Sequence, residues 1–163
     1  METIIRNYTK FDYSTCLFIF RSNVPKYFTV EEFNEFEAFL KKLENGQDVV
    51  EYYVIVHNQR VVACGGFGDK DNNGVYSFAW GMVHRDFHKK GFGTLLFKHR
   101  ISELRKINPS HPIVLDTTQH SSKFFEKMGF RLTGITENYY TQGMHRYDMV
   151  YELEKEELSA FET

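Results

Sequence analysis

Cysteine and proline are scarce in this chain of 163 residues, which contains two cysteines and three prolines. Cys16 and Cys64 lie too far apart in sequence to form a metal-binding motif, and a single pair makes no disulfide framework. We therefore expect a reducing compartment, the cytoplasm. The chain also lacks an apolar run long enough to span a membrane and lacks a leader segment, so we expect neither membrane association nor secretion.

An excess of positive charge is absent as well. Twenty Lys and Arg residues stand against 22 Asp and Glu residues, and the formal net charge is −2 at pH 7. Without a basic field, the sequence gives no reason to expect nucleic acid as a partner. The length suits one domain with a sizeable core. We expect that domain to span residues 1–153 and to be followed by an acidic tail over residues 154–163.

Aromatic residues, in contrast, are abundant: the chain has 16 Phe and 10 Tyr. Many of them should fill the core, and others can line a concave site. Thr29 and Glu32 have the spacing of a capping box, and a helical pattern of apolar residues follows until Gly46. The order of elements is α+β with a mixed sheet. The predicted strands are at residues 4–5, 51–56, 60–66, 76–83, 113–117, 131–139 and 145–153, and the other predicted helices are at residues 12–21, 94–106 and 122–128.

The segment at residues 88–94, HKKGFGT, follows a predicted strand and precedes a predicted helix. Its two glycines, Gly91 and Gly93, keep side chains away, so that main-chain N–H groups can approach a ligand closely. The first N–H groups of a helix have no partner inside it and carry the positive end of the helix dipole, which favours a diphosphate. Taken alone, the pattern is weak, because an ordinary tight turn with a lysine-rich surface has the same composition.

A second motif, FFEKMGF at residues 124–130, follows the strand-like run IVLDTT. Together, the two motifs resemble the signatures of the GNAT superfamily of acyl-CoA-dependent N-acyltransferases. The pyrophosphate loop of that family reads Arg or Gln, any, any, Gly, any, Gly or Ala, which residues 88–93 match except at the first position. Its second signature begins with an aromatic residue at the end of a short helix, followed by three further residues and then by Gly-Phe. Phe125, Gly129 and Phe130 match this signature. The resemblance covers residues 52–153.

The resemblance implies a single-domain GNAT-like fold, with a mixed, mostly antiparallel sheet of about six to seven strands, flanking helices and splayed central strands. It implies acetyl transfer from acetyl-CoA to a primary amine by direct attack in a ternary complex, without a metal. The amine can belong to a small molecule, a protein N-terminus or a lysine, and a homodimer is left open. By motif position, the residues expected to bind the cofactor are Met82, Val83, His88, Lys89, Lys90, Gly91, Phe92, Gly93, Thr94, Thr118 and Phe125.

Met82 and Val83 are expected to act through their main chain. In proteins of this family, the pantetheine arm enters a gap between the strand before the loop and the next parallel strand, and it pairs with the strand backbone. An N–H group at Met82 or Val83 would then also polarise the thioester carbonyl. An ordinary place in a core strand is an equally good interpretation of both residues, and the two interpretations are compatible.

Three positions depart from the family pattern. His88 stands where the loop usually opens with Arg or Gln, although an imidazole can also donate to a phosphate. Phe125 stands where a Tyr often protonates the departing thiolate, and phenylalanine has no proton to give. Ser77 stands where some members carry a Glu base, and its hydroxyl is too weakly basic at neutral pH to replace it. The general acid and the general base therefore have to come from elsewhere.

Tyr140, His120 and Asp116 are the candidates for those catalytic roles. Tyr140 follows a predicted strand and could approach the thiolate or the amine, although a tyrosine that covers the edge of the core is the commoner case. His120 is a base by chemistry, and Asp116 could orient it or bind a cationic amine. A lone histidine near a helix start is more often a cap or a surface residue, and water can also carry protons without a dedicated side chain.

Other functions fit the sequence less well. Residues 90–97 resemble the ribonucleoprotein signature of an RNA-recognition motif, but that signature belongs on a strand and needs an aromatic residue where Thr94 stands. Walker and Rossmann loops need residues that are absent from this loop. The serious alternative is an acyl-CoA-binding module with little or no catalysis, because Ser77 and Phe125 both lack the expected chemistry.

Overall fold

The computed structural model describes residues 2–47, 49–110 and 112–152, and within them a sheet of seven strands is flanked by four α-helices. The predicted acidic tail and the end of the last predicted strand lie outside the described residues. The helices are α1 (Tyr13–Ser22), α2 (Glu32–Glu44), α3 (Phe92–Ile107) and α4 (Ser122–Lys127). The strands are β1 (Thr3–Asn7), β2 (Val50–His57), β3 (Arg60–Gly68), β4 (Tyr76–Val83), β5 (Ile113–Thr117), β6 (Arg131–Thr141) and β7 (Met144–Tyr151).

The sheet has the order β1-β2-β3-β4-β5-β7-β6, and all neighbouring strands are antiparallel except β4 and β5. The parallel pairing of β4 with β5 covers only two residue pairs, Tyr76 with Ile113 and Ser77 with Val114. Because β4 continues to Val83, the two strands separate beyond Ser77 and leave a gap in the sheet. The predicted single domain with a mixed, mostly antiparallel sheet and splayed central strands is confirmed.

A β-bulge interrupts β4 alongside this gap. The register between β3 and β4 shifts where Trp80 and Gly81 face the single residue Gly65. Trp80 has a φ of 43°, in the left-handed region that a bulky residue rarely adopts. The Tyr52 hydroxyl of β2 donates a hydrogen bond of 2.7 Å to the Trp80 carbonyl. A side chain from β2, which is separated from β4 by β3, therefore holds the bulge in place.

Helices cover both faces of the sheet, as the alternation along β2 shows. Tyr52 and Val54 point to one face, where they pack with α1 and α2, whereas Tyr53 and Ile55 point to the other face, where α3 lies. Buried aromatic and aliphatic side chains fill both interfaces. This packing fixes the positions of β4 and α3 relative to each other, and the loop between them is held at both ends.

Local sequence signals located most element boundaries correctly. The predicted capping box opens α2, since the Thr29 N–H donates to the Glu32 carboxylate at 3.0 Å and the Glu32 N–H donates to the Thr29 hydroxyl at 3.2 Å. Asn58 and Gln59, with φ of 49° and 68°, form the predicted tight turn between β2 and β3. β6 extends two residues beyond its predicted end because it pairs with β7 again there, so Tyr140 lies inside the strand.

Cys16 and Cys64 meet in the core although they are far apart in sequence. Both are fully buried free thiols in the cluster between α1 and the sheet. A hydrogen bond to Cys64 and burial raise the pKa of the Cys16 thiol, which keeps it protonated and unreactive at neutral pH. Across the described ranges, no three His, Cys, Asp or Glu side chains are placed to hold a metal ion. Nor is any helix in those ranges long and apolar enough to cross a membrane.

Candidate active site

The glycine-containing loop turns sharply between β4 and α3. A single 3₁₀ turn at Arg85–Phe87 leads into it, and Lys89 and Gly91 then adopt left-handed backbone conformations with φ of 62° and 90°. Glycine is favoured at such φ values because it has no Cβ. α3 begins at Phe92, and a 3.0 Å hydrogen bond from the Leu95 N–H to the Gly91 carbonyl closes its first turn.

The N–H groups at the start of α3 are free to bind a ligand. No side chain caps the helix, and the amides of Phe92, Gly93 and Thr94 donate to no other residue in the part of the chain that the structure describes. The positive end of a helix of 16 residues coincides with these donors. Lys89 and Lys90 are both exposed beside them. Converging amides, a helix dipole and two nearby lysines together suit a diphosphate.

The side chains of the loop leave this space open. Nothing lies within 4 Å of the position that a Cβ on Gly91 would take, and a Cβ on Gly93 would meet Phe124 at 3.4 Å. Phe92 turns its ring into the core, where it packs edge-on against His57 with the ring centroids 5.0 Å apart. Phe92 therefore offers a ligand only its main-chain N–H.

The main chain of Val83 faces the gap between β4 and β5. The N–H of the next residue, His84, donates to the Val62 carbonyl of β3 at 2.8 Å. Main-chain groups alternate along an antiparallel strand, so those of Val83 point away from β3. By the same alternation, the main chain of Met82 is turned toward β3, where its partner is Cys64. Of the two residues expected beside a pantetheine arm, Val83 is the one whose main chain reaches the gap.

The Val83 carbonyl already accepts two hydrogen bonds. Asn23 Nδ2, from the loop after α1, donates to it at 2.9 Å, and His88 Nε2 donates at 2.8 Å. Because a carbonyl can only accept, the Nε2 of His88 must carry a proton. The sequence suggested that His88 could donate to a phosphate, whereas its Nε2 here points into the gap. A ligand N–H can bond to this carbonyl only after one of the two donors moves, whereas the Val83 N–H has no partner from β5.

Tyr27 connects the two sides of the gap. Its ring packs edge-on against His88, with centroids 5.4 Å apart, and against His120, with centroids 6.2 Å apart. His88 follows β4 and His120 follows β5, so the loop that carries Tyr27 lies across the entrance of the gap. His120 itself is exposed. The aromatic contact places its imidazole beside the loop between α1 and α2.

Thr118 and Phe125 follow β5. Thr118 is buried, and its hydroxyl oxygen accepts a hydrogen bond of 3.2 Å from the His120 N–H, which leaves the hydroxyl proton available for a ligand. Phe125 is half-buried in α4 and packs edge-on against Phe124 and Phe130. Phe125 therefore contributes an apolar surface and cannot protonate a thiolate.

Of the three predicted catalytic residues, Tyr140 and Asp116 come together. The Tyr140 hydroxyl donates to Asp116 Oδ2 at 2.8 Å, and it reaches across β7, which lies between β5 and β6. Burial and the negative charge of Asp116 raise the pKa of Tyr140, so the hydroxyl stays protonated at neutral pH. Asp116 does not orient His120 as the sequence suggested, since the Asp116 carboxylate accepts from Tyr140 and His120 packs against Tyr27.

Charged side chains from α2 and β7 lie near this pair. Glu32, at the start of α2, interacts electrostatically with both Asp116 and Tyr140, and burial raises the pKa of its carboxyl group. Arg146 of β7 donates to Asp148 at 2.9 Å and partly offsets the negative charge. Carboxylates still outnumber cations here, and this balance favours a positively charged ligand such as an amine.

Two contributors to the site were not expected from the sequence. Asn23 carried no functional expectation, but the structure buries it, with Nδ2 donating to the carbonyls of Ile19 at 3.0 Å and Val83 at 2.9 Å. No local pattern distinguishes such an asparagine from a turn residue. Trp80 was assigned to a regular strand, and the one available signal for its bulge was Gly81, because glycine inside a strand often marks a bulge.

A profile described as acetyltransferase (GNAT) domain matches residues 22–153, which is most of the chain. This match confirms the resemblance that the two motifs carried. A search of curated proteins found no match.

Solved structures show the same fold at low sequence identity. An Escherichia coli ribosomal-protein-S18-alanine N-acetyltransferase is 16% identical with a TM-score of 0.75, covering 93% of this chain and 94% of that chain. A spermidine N-acetyltransferase chimera from Vibrio cholerae and hSSAT is 15% identical with a TM-score of 0.74, covering 100% of this chain and 99% of that chain. A Salmonella typhimurium protein assigned as an acetyltransferase was solved with its cofactor acetyl-CoA. It is 19% identical with a TM-score of 0.72, covering 95% of this chain and 96% of that chain.

Proposed function

The chain belongs to the GNAT acetyltransferase family, and we propose that it moves an acetyl group from acetyl-CoA to a primary amine by direct attack in a ternary complex. One observation carries the proposal: uncapped amides at the start of α3 lie next to a gap in the sheet into which the Val83 main chain points. The first feature suits a diphosphate, and the second suits an extended arm with amide groups. Coenzyme A contains both.

For the donor, the diphosphate would bind the amides of Phe92, Gly93 and Thr94, with Lys89 and Lys90 adding positive charge. The arm would lie along β4 and accept a hydrogen bond from the Val83 N–H. Thr118, whose hydroxyl proton is available, would bond to the arm from the β5 side. Binding both reactants in one groove contributes to the rate through orientation alone.

Asp116 and Tyr140 are our candidates for the proton steps. The attacking amine must lose a proton, and the departing sulfur must gain one. The exposed carboxylate of Asp116 can hold the ammonium form of the acceptor and take its proton, while Tyr140 keeps its own proton and can donate. Their 2.8 Å hydrogen bond connects the two groups. His120 stays a second candidate base, at the entrance of the gap beside Tyr27.

The acceptor that fits best is an amine with positive charge. Asp116 and Glu32 place two carboxyl groups near the end of β5, and both interact with Tyr140. Among the structurally similar proteins, one is named for spermidine and another for an alanine of a ribosomal protein. We therefore propose a cationic small molecule, a protein N-terminus or a lysine side chain as the acceptor.

A second candidate function is acyl-CoA binding with little or no catalysis. Two observations favour it: Phe125 has no proton to give, and the Tyr140 proton is already donated to Asp116. The donor half of the site would then work as described, while the amine half would have no chemical role.

Two measurements test these functions. Calorimetry with coenzyme A tests the donor site, and thiol release from acetyl-CoA tests transfer to a panel of amines: a polyamine, a peptide with an N-terminal alanine, a lysine peptide and a neutral amine. We expect coenzyme A to bind and at least one cationic amine to release thiol above the hydrolysis background, with the acetylated product seen by mass spectrometry. Binding without thiol release for any amine supports the binding module, and absence of binding contradicts both functions.

A further inference from the structure

A buried arginine lies beneath the bulge of β4. Arg100, on α3, is only 3% exposed. Its guanidinium lies so close to Gly81 that a Cβ on that residue would be 2.9 Å from Nη1 and 3.1 Å from Nη2. Gly65, which faces the bulge from β3, also makes room, since its Cβ would lie 3.5 Å from Nη1. The guanidinium carbon lies 3.9 Å from the ring centroid of Phe78.

This cation has no carboxylate partner among residues 2–47, 49–110 and 112–152. Its Nε has no acceptor in those ranges, and Nη1 makes only a long contact of 3.5 Å to the Gly66 carbonyl. Burial lowers the pKa of Arg100 to about 10, so the guanidinium still carries its charge at pH 7. A full positive charge is therefore enclosed in the core with little to compensate it.

The fold alone gives no reason for a charge at this position. The other inward-facing residues of α3, such as Leu96, Phe97 and Leu104, are apolar. An apolar side chain of similar volume in place of a buried, poorly paired ion is often neutral or stabilising. The cation–π contact with Phe78 offsets only part of the cost of desolvation.

The position of Arg100 connects it with the reaction. Phe78 is the first residue of β4 beyond its pairing with β5, and Gly81 lies two residues before Val83. The guanidinium, which contacts Phe78 and the Gly66 carbonyl and fills the space under Gly81, therefore lies beneath the paired strands β3 and β4. The bulged main chain of β4 separates it from the gap in the sheet. In the function proposed above, on which this inference rests, the thioester lies in that gap.

We propose that Arg100 is a positioning residue whose buried positive charge, acting through the bulged main chain of β4, stabilises the negative charge that acetyl transfer develops. The lone pair of the amine nitrogen bonds to the thioester carbon, and the π pair of the carbonyl moves onto its oxygen, which becomes an oxyanion. When the carbonyl forms again, the carbon–sulfur bond breaks and its electron pair leaves with sulfur as a thiolate. The nitrogen loses its proton to a base or to water, and the thiolate takes one up, which gives the amide and the coenzyme A thiol.

Both anions of this sequence would form across the β4 main chain from a fixed charge that lies in surroundings of low dielectric constant. Such a charge needs no reorganisation when the reaction occurs, so it acts more strongly than a solvated cation would. Arg100 therefore contributes after the donor has bound. Its removal should change the chemical step more than the affinity for acetyl-CoA.

The first test compares Arg100→Met, Arg100→Lys and the wild type, with Lys98→Met as a matched control that removes an exposed positive charge from the same helix. For Arg100→Met we expect kcat to fall about 10- to 100-fold, while the dissociation constant of acetyl-CoA changes less than about threefold. Arg100→Lys should recover part of the loss because it restores the charge. Lys98→Met should match the wild type.

The second test measures the thiol pKa of bound coenzyme A, from the ultraviolet absorbance of the thiolate as a function of pH, with the desulfo-CoA complex as the blank. Removing the charge in Arg100→Met should raise that pKa by about one unit, which corresponds to a tenfold change in thiolate stability. A merely structural role leaves this value unchanged when coenzyme A still binds.

Several results would overturn the inference. It is wrong if Arg100→Met keeps the wild-type kcat and the wild-type thiol pKa. It is also wrong if Arg100→Met and a second neutral variant, Arg100→Gln, both fail to fold or to bind coenzyme A, because Arg100 is then a structural residue. Failure of the wild-type protein to bind coenzyme A is a different outcome, since it contradicts the proposed function itself.

Discussion

Replacing Gly93 by valine should weaken coenzyme A binding strongly while the protein stays folded. Gly93 is the second residue of α3 and is not among the glycines with positive φ, so its backbone accepts a side chain without strain. A Cβ there would make an ordinary contact with Phe124, at 3.4 Å. The two methyl groups of valine would lie beside the free amides at the start of α3, where the diphosphate is proposed to bind.

The magnitude follows from the number of amide contacts that valine blocks. A hydrogen bond to a charged group contributes about 1.5–3 kcal/mol, which is the cost of losing one amide–phosphate contact. That loss corresponds to a dissociation constant roughly 10- to 150-fold higher, and loss of a second contact would raise it further. The free energy of unfolding should change by less than about 1 kcal/mol, because valine is no worse than glycine in a helix.

Isothermal titration calorimetry with coenzyme A measures the first quantity, and urea denaturation measures the second. Gly134→Val is the matched control, since no atom lies within 4 Å of a Cβ at Gly134, which is in β6. Gly93→Ala should give an intermediate loss of affinity. If Gly93→Val binds coenzyme A within about threefold of the wild type, the diphosphate does not lie on these amides and the assignment of the loop is wrong.

Three further predictions concern the loop, the catalytic pair and stability at low pH. Gly91→Ala should lower the free energy of unfolding by about 1–2 kcal/mol in urea denaturation, because Gly91 has a φ of 90°, whereas Gly93→Ala should not lower it. Asp116→Asn and Tyr140→Phe should each lower kcat about 10- to 100-fold with little change in the KM for acetyl-CoA, and unchanged steady-state rates for both would exclude the pair from the proton steps. Burial opposes the charge of Asp12, but hydrogen bonds from Arg6 and Thr9 outweigh it, so the pKa of Asp12 lies below its ordinary value. As the pH falls, the unfolded state therefore binds the proton first, and stability is lost as the pH passes through the depressed pKa of the folded state. Asp12→Asn should make acid denaturation less steep below about pH 4.

The sequence predicted those parts of the molecule that depend on neighbours along the chain. The capping box of Thr29 and Glu32, the two-residue turn after β2 and the glycine loop before α3 all follow from short-range rules, and each is present. The Tyr140–Asp116 hydrogen bond could not be predicted in this way. Its partners are 24 residues apart and meet only because β7 inserts between β5 and β6.

The same distinction explains why the donor half of the site is easier to assign than the acceptor half. The proposed donor contacts use main-chain groups at the start of α3 and at Val83, and the fold presents these groups whatever side chains surround them. Substitutions such as His88 for an arginine and Phe125 for a tyrosine therefore leave the donor site recognisable. Acid–base chemistry instead needs particular side-chain atoms, and those come from several elements: Asp116 from β5 and Tyr140 from β6. A chain can thus keep the loop and the gap of its family while the proton steps move to different residues, so variants at Asp116, Tyr140 and Arg100 are more informative about this chain than variants at the loop.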